Sequence, residues 1–257
     1  MIPKIIHYCW LSKDPIPESF QKCMDSWKNN LPNYEFIHWD FNRFPRGKSK
    51  WVDEAFDNKK YAFAADYIRL YALYNYGGIY LDLDVEVVKN FAPFLDLKTM
   101  ICWQRGLDNG LEVDAFGAEK NSFWIKHCLD LYKNQTSKKE DGSLDQITLP
   151  MRVNRALMNL NYSLYTVDSI EMAKEIESKN VIPIFPYTFF SPKSYISGKI
   201  KKTSKTYCIH HFAGSWVTPQ EISLLKKIKH FLWNKSGMAD MEIKKRFWNI
   251  VNHLHKG

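Results

Sequence analysis

Apolar and polar positions along this chain follow two periods, and the periods alternate in a regular order. "KIIHYCW" near the start reads as a strand, "PESFQKCMDSWKNN" as a helix closed by "LPN", and "YEFIHW" as a second strand. From Trp51 to Tyr76 the apolar residues recur at helical spacing, and Gly77 and Gly78 supply a C-terminal stop. "YGGIYLDLDVEVV" then switches to strict alternation. Ile79, Leu81, Leu83, Val85 and Val87 share one face of a predicted strand, and Tyr80, Asp82, Asp84 and Glu86 share the other. Further on, "TMICWQR" and "VDAFGAEK" predict strands. "SFWIKHCLDLYKN", "QITLPMRVNRALMNL" after Pro150, and "EMAKEIESK" predict helices, while "NVIPIFPYTFFSP" and "TYCIHHFAG" read as extended. This β-α-β rhythm predicts an α/β fold with a largely parallel sheet covered by helices on both faces.

The end of the chain is different. Thr218, Pro219 and Glu221 form a capping-box start with proline at the first helical position, and Ile222, Leu225, Ile228 and Leu232 make an apolar stripe beside Lys226, Lys227 and Lys229. "EIKKRFWNIVNHLHK" predicts a second basic amphipathic helix. We expect one compact domain over residues 1–217 and basic helices over residues 218–257, packed on it or appended to it. No internal repeat divides the chain.

Composition narrows the class. The 257 residues are 45% hydrophobic and 15% aromatic, enough for a sizeable core, and disorder is excluded. A net charge of +8 asks for an anionic partner: a phosphorylated substrate, an acidic membrane surface or nucleic acid. No nucleic-acid-binding module is recognisable, so that partner is set aside. The C-terminal lysines, with Phe231, Trp233, Phe247 and Trp248, bring in an anionic membrane as the alternative to a solvated tail. Five scattered cysteines show no zinc spacing and no disulfide ladder, which points to a reducing, cytoplasmic compartment, with the inner face of the membrane as a docking place. The start lacks a signal-peptide core, and "VIPIFPYTFF" is too short and too broken by proline to cross a bilayer.

The two aspartates carry the chemistry. Like charges at neighbouring same-face positions of a strand with apolar flanks are costly unless something positive lies between them. A hard divalent cation, Mn²⁺ or Mg²⁺, takes oxygen ligands and usually only one or two protein carboxylates, with phosphates supplying others. A D-x-D at a strand end therefore suits an ion held against a diphosphate. Asp66 and Arg69, three apart on the preceding helix, share a face. The glycines permit close backbone approach to a ligand. Near the end, "HHFAGSW" adds His210, His211, Ser215 and Trp216; the two histidines alternate faces, so one at most points into a site.

In combination, "IPKIIHYCW", "KKYAFAADYIRLYALYNYGGIYLDLDVEVV" and "HHFAGSW" resemble glycosyltransferase family 32, the DXD sugar-binding type, and more distantly the glucosyltransferase domain of the large clostridial toxins. The resemblance implies a GT-A fold: a nucleotide-sugar-binding, Rossmann-like mixed sheet with helices on both faces. It implies a retaining, Mn²⁺- or Mg²⁺-dependent transferase that takes a sugar from a nucleotide-diphosphate donor, with UDP-hexose or UDP-N-acetylhexosamine favoured. The acceptor would be a glycan or lipid-linked saccharide, in bacterial capsule or lipopolysaccharide synthesis. Carried over position by position, Trp10 stacks on the base, Asp66 and Arg69 contact donor sugar, ribose or phosphate, and Asp82, with Tyr80, lies on the donor side. Asp84 ligates the metal, His211 is the late metal ligand, and Ser215 and Trp216 hold the diphosphate. The toxin relatives carry a carboxylate where His211 stands.

Two retaining routes remain open. A double displacement needs a carboxylate beneath the anomeric carbon, while a same-face substitution needs none. Asp114 and Asp145 are the carboxylates in the regions that line the acceptor side of the resembling family, and each also reads as a loop carboxylate; the same-face route is preferred. Two rivals stand beside the transferase. One is a haloacid-dehalogenase-like phosphohydrolase, because "YLDLDVE" also fits its D-x-D-x-[TV] strand, although the later acidic pair of that superfamily is missing. The other is a non-catalytic sugar- or membrane-binding module on the same fold.

Overall fold

A computed structural model gives the fold and describes residues 1–105, 110–133, 135–138, 145, 147–177, 180–194 and 197–213. The C-terminal helices expected over 218–257 lie outside the described residues. The chain runs β1 (Ile5–Cys9), α1 (Glu18–Asn30), β2 (Glu35–Trp39), α2 (Lys50–Asp57), α3 (Tyr61–Tyr76), β3 (Gly78–Leu81) and β4 (Val85–Val87). It continues through β5 (Thr99–Met100), β6 (Ala115–Ala118), α4 (Phe123–Asp130), α5 (Leu149–Asn159), β7 (Ser163–Thr166), α6 (Ile170–Ile176), β8 (Val181–Ile184), α7 (Tyr187–Phe190) and β9 (Cys208–His210).

The central sheet has the order β2-β1-β3-β6-β5. β1 runs parallel to both β2 and β3, whereas β6 runs antiparallel to β3 and to β5, so the sheet is mixed. Alternation along β3 feeds two cores. Tyr80 joins Trp39, Phe116 and the apolar faces of α2 to α5 on one side. Ile79 and Leu81 join Ile6, Met100 and Trp27 of α1 on the other. Helices thus cover both faces, and β3 is buried throughout.

Two departures from the sequence pattern matter for the site. The single helix expected over Trp51–Tyr76 is two, because Lys59 takes a left-handed φ of 58° between α2 and α3. The single strand expected over Ile79–Val87 is also two. β3 ends at Leu81, the chain turns with the Val85 amide donating to the Asp82 carbonyl, and β4 pairs antiparallel with β9 in a separate ladder. Leu83, Val85 and Val87 still return to the core that holds Ile79 and Leu81, which is why strict alternation survives a turn. α1 braces β4: the Trp27 indole donates to the Val85 carbonyl at 2.6 Å, and the Val87 amide donates to the Ser26 hydroxyl at 2.9 Å.

Gly77 ends α3 at a φ of 67°, its amide donating to the Leu73 carbonyl. Gly78 follows at a φ of 106°, and a Cβ there would meet the Ile5 carbonyl oxygen at 2.7 Å. The close approach these glycines permit is therefore strand against strand, where the expectation was backbone against ligand.

His7 fixes the same junction. It is buried, with Nε2 donating to the Gly77 carbonyl at 2.7 Å and Nδ1 accepting from the Trp39 indole at 3.1 Å. Burial, only partly opposed by the Gly77 bond, lowers its pKa to about 4 from an ordinary 6.5. The unfolded chain therefore binds the extra proton between these values, and stability rises with pH across that window. Above pH 6.5 the neutral ring costs nothing. On descent through 6.5 towards 4 the fold loses up to about 3 kcal/mol from this residue. Urea unfolding at pH 7.5 and pH 5 checks this: His7→Gln, which keeps one donor and one acceptor, flattens that dependence, and an unchanged slope contradicts it.

Candidate active site

The C-terminal end of β3, the N-terminal ends of β4 and β6 and the C-terminal end of β9 converge on a cluster of carboxylates around one arginine and one histidine. Arg69 comes from the middle of α3 and is only 3% exposed. Its Nη2 lies 3.3 Å from both Asp66 and Asp82, and its Nη1 donates to Asp114 Oδ1 and to the Val113 carbonyl, each at 2.8 Å. The guanidinium rests on the Tyr80 ring at 4.6 Å, and its Nε, also buried, has no hydrogen-bond partner among the described residues. A planar fork is needed here, because one point charge could not face three carboxylates in different directions.

His210 is the second positive centre. β9 pairs with β4 in a register that sets His210 opposite Val85. Its Nε2 lies 3.4 Å from Asp84, and its Nδ1 lies 3.3 Å from Asp114 and 3.4 Å from Glu112. Burial disfavours the charged ring, but Asp114, Glu112 and Asp84 outweigh it, so the pKa rises well above the ordinary histidine value. The same charges act in reverse on the acids. Asp114 is held below the usual carboxylate range despite burial, by His210 and Arg69. Asp84 is lowered likewise, against burial, by His210 and by the Ala213 amide that donates to it at 2.7 Å. A left-handed Phe212 turns the chain so that this amide reaches Asp84.

Asp82 goes the other way. Burial raises its pKa, and crowding by Asp114 and Asp84 adds to that, against the pull of Arg69. The Tyr80 hydroxyl donates to it at 2.8 Å, and its amide donates to the Asp114 carbonyl at 2.8 Å. Burial also raises Asp66 to about 6, in spite of Arg69. Five carboxylates thus stand around Arg69 and His210, with Arg152 adding its pull on Asp66 alone.

That imbalance is the test of fit for a divalent cation. Glu112, Asp114 and His210 offer ligand atoms all within 4.8 Å of one another, and Asp84 stands against the same imidazole. Carboxylate oxygens with one imidazole make a donor set suited to Mn²⁺ or Mg²⁺, and an ion entering there would displace the proton of His210. These residues fit the group that the sequence anticipates.

The expected site residues divide into three sets. Asp66, Arg69, Asp82, Asp84 and Asp114 lie together in this cluster. Tyr80 reaches it only through Asp82, being 1% exposed itself. His211 is neighbour to the cluster: its amide donates to the Asp84 carbonyl, but its Nε2 pairs with Glu86 at 2.9 Å, and the imidazole among the carboxylates belongs to His210. Trp10 ends β1, its indole N–H donating to the Asp14 carbonyl at 2.8 Å and its ring edge-on to Phe20. Asp145 pairs with Arg152 at 2.6 Å, and it reaches the cluster only through that arginine, whose charge pulls on Asp66. Ser215 and Trp216 lie outside the described residues. Glu112 was missed by the sequence reading; the sole signal for it was a carboxylate two residues before Asp114, on the same side of an extended segment.

Beside the cluster lies a groove of about 670 Å³ between α1 and the β4–β9 ladder. Asp84, Glu86 and His211 line one wall; Phe20, Lys22 and Cys23 of α1 line the other. Asp84 belongs to both features, and a group held at that carboxylate would face the groove.

Residues 17–102 match the family model described as a glycosyltransferase sugar-binding region containing a DXD motif. The chain is 32% identical over 123 residues to inositol phosphoceramide mannosyltransferase 3 of Schizosaccharomyces pombe, covering 46% of this chain and 34% of that protein. It is also 32% identical over 135 residues to the mannosyl phosphorylinositol ceramide synthase SUR1 of Saccharomyces cerevisiae, covering 49% and 34%. The chain therefore spans about a third of the length of these curated relatives. Among solved structures, the PaToxG glycosyltransferase superposes with a TM-score of 0.48 at 23% identity, over 62% of this chain and 69% of that one.

Proposed function

We propose that this chain is a retaining glycosyltransferase that moves a hexosyl group from a nucleotide-diphosphate sugar to a saccharide or lipid-linked acceptor, with Mn²⁺ or Mg²⁺ bound at Asp84. The observation that carries the proposal is the gathering of Asp82, Asp84, Glu112 and Asp114 around Arg69 and His210, with Asp84 also lining a groove. The sugar-binding match over residues 17–102 supports it. A bound ion would be held by Asp84 on the Nε2 side of His210, apart from Glu112 and Asp114 on the Nδ1 side, and would supply charge neutralisation to the departing diphosphate.

The chain's own residues do the rest. Arg69 fixes the directions of Asp66, Asp82 and Asp114 at once, so the donor meets a preorganised acidic wall. Asp114 has one oxygen on Arg69 and the other beside His210, which leaves it engaged rather than free as a nucleophile. That favours the same-face route. The acceptor hydroxyl bonds to the anomeric carbon as the carbon–oxygen bond to the diphosphate breaks, and the hydroxyl proton leaves on the diphosphate. Trp10 is proposed to bound the base subsite through its neighbour Phe20 on the groove wall. Ser215 and Trp216 are proposed to hold the diphosphate.

The donor is proposed to be a UDP-linked hexose or N-acetylhexosamine. The relatives, named as mannosyltransferases of inositol phosphoceramide, put guanosine diphosphate mannose beside these, and they support a lipid-linked acceptor. The reaction is proposed to take place on the cytoplasmic side of a bacterial membrane, in surface polysaccharide synthesis. A thermal-shift panel of nucleoside diphosphates with Mn²⁺ tests the donor. The matching nucleotide at a hundred times its dissociation constant adds about 2.7 kcal/mol of stability, with a rise in melting temperature of several degrees that EDTA removes. No rise with any nucleotide contradicts the proposal.

A further inference from the structure

Between Glu177 and Glu221 the sequence has no acidic residue, while Lys179, Lys193, Lys199, Lys201, Lys202 and Lys205 fall within that interval. Most of this charge is gathered on one feature, the excursion between α7 and β9. The excursion is built rather than loose. Lys193 and Ile200 form an antiparallel bridge, Gly198 turns the chain at a φ of 69°, and the Ser194 amide donates to the Lys199 carbonyl at 2.9 Å. Arg105 ties both arms, donating to the Pro192 carbonyl at 2.6 Å and to the Lys199 carbonyl at 2.8 Å. Lys205 anchors the return arm on the Asp168 carbonyl, and Lys89 reaches the Ser204 carbonyl from β4's end of the ladder.

Opposite Lys193 in that bridge, Ile200 is 47% exposed and is followed by the exposed Lys201 and Lys202, which make no ion pair among the described residues. A lone exposed isoleucine is ordinary in water; it is the run of lysines beside it that suits the boundary between headgroups and acyl chains of an anionic bilayer, where the isoleucine adds an apolar contact. Nucleic acid offers the charge but no apolar layer for Ile200. At the root, Lys193 Nζ donates to the His211 carbonyl at 2.6 Å, so the rim of the groove lies one side chain from this feature.

We propose that the lysine-bordered turn around Ile200 docks the chain on an anionic lipid surface, with the groove at Asp84 beside that surface. These residues are not part of the segment 218–257, and docking holds whether or not the chain transfers sugar.

Co-sedimentation of the full chain with phosphatidylcholine vesicles, with and without phosphatidylserine, tests it. The wild-type chain is expected to sediment with the phosphatidylserine vesicles and to stay in solution with the neutral ones. Lys201→Glu/Lys202→Glu, at two exposed positions with no ion pair among the described residues, is expected to weaken that partitioning by about 25-fold or more, since each lysine near such a surface contributes about fivefold. Ile200→Ser is expected to weaken it a few-fold at unchanged charge. Lys226→Gln/Lys227→Gln/Lys229→Gln, which removes charge from the tail, is expected to retain the sensitivity to Lys201 and Lys202. The proposal is overturned if the wild type shows no preference for anionic vesicles. It is equally overturned if the Lys201/Lys202 variant, at an unchanged melting temperature, sediments like the wild type, or loses binding to single-stranded nucleic acid while keeping binding to vesicles.

Discussion

Asp84→Asn lowers sugar transfer by about a thousandfold or more while leaving the fold intact. The substitution is chosen because the asparagine oxygen still accepts the Ala213 amide, so the turn after β9 keeps its closing bond. What disappears is the negative charge, and with it the strongest reason for a cation to sit at the groove mouth. His210 loses one of its three carboxylate neighbours and keeps Glu112 and Asp114, so the β4–β9 ladder remains charge-compensated. Circular dichroism and the melting temperature should therefore match the wild type while donor turnover collapses. Transfer at the wild-type rate by a folded Asp84→Asn chain would remove Asp84 from the metal site.

Arg69→Met gives the opposite combination, a large loss of stability together with loss of activity. The methionine fills the apolar part of the arginine's space beside Tyr80 but leaves Asp66, Asp82 and Asp114 without their shared counter-charge. Removing one partner of a buried ionic group costs about 3–5 kcal/mol, because the remaining charges stay desolvated. For a chain of this size that is a fall in melting temperature of about 10 °C. Arg69→Lys should fall between the two, since an ammonium cannot face three carboxylates and the Val113 carbonyl together. A midpoint of unfolding unchanged in Arg69→Met would contradict the view that this guanidinium organises the acidic wall.

These two residues also show what the sequence carried. Spacing puts Arg69 on the same helical face as Asp66, and its place in a site came from the family resemblance. The element order from β1 to β3 follows from periodicity, and the alternation Ile79, Tyr80, Leu81 correctly assigns β3 side chains to two cores. The turn at Asp82–Asp84 was hidden for a physical reason. Leu83, Val85 and Val87 re-enter the core that β3 uses, so the period of two continues while the backbone changes direction and changes sheet. The break between α2 and α3 was hidden too, because a left-handed lysine rather than glycine or proline makes it.

The site depended on long-range pairing that no local pattern contains. Alternation separates His210 from His211, but the register Val85 opposite His210 decides which ring meets the carboxylates. Glu112 enters only because β6 lies next to β3 and its approach runs under β9, bringing a residue 98 positions from His210 to within 3.4 Å of it. Family resemblance named Asp82 and Asp84 as a pair; the structure separates their surroundings, with Asp82 against Arg69 and Tyr80 and Asp84 against His210 and the groove.

The central claim is that one divalent ion binds at Asp84 and bridges to the donor's diphosphate. Electron paramagnetic resonance of Mn²⁺ titrated with the chain, in the presence of the nucleoside diphosphate selected by the thermal-shift panel, addresses it directly. The free-ion signal should fall to a one-to-one end point with the wild type and persist with Asp84→Asn. Equal loss of signal with both chains, or no loss with either, would contradict the account.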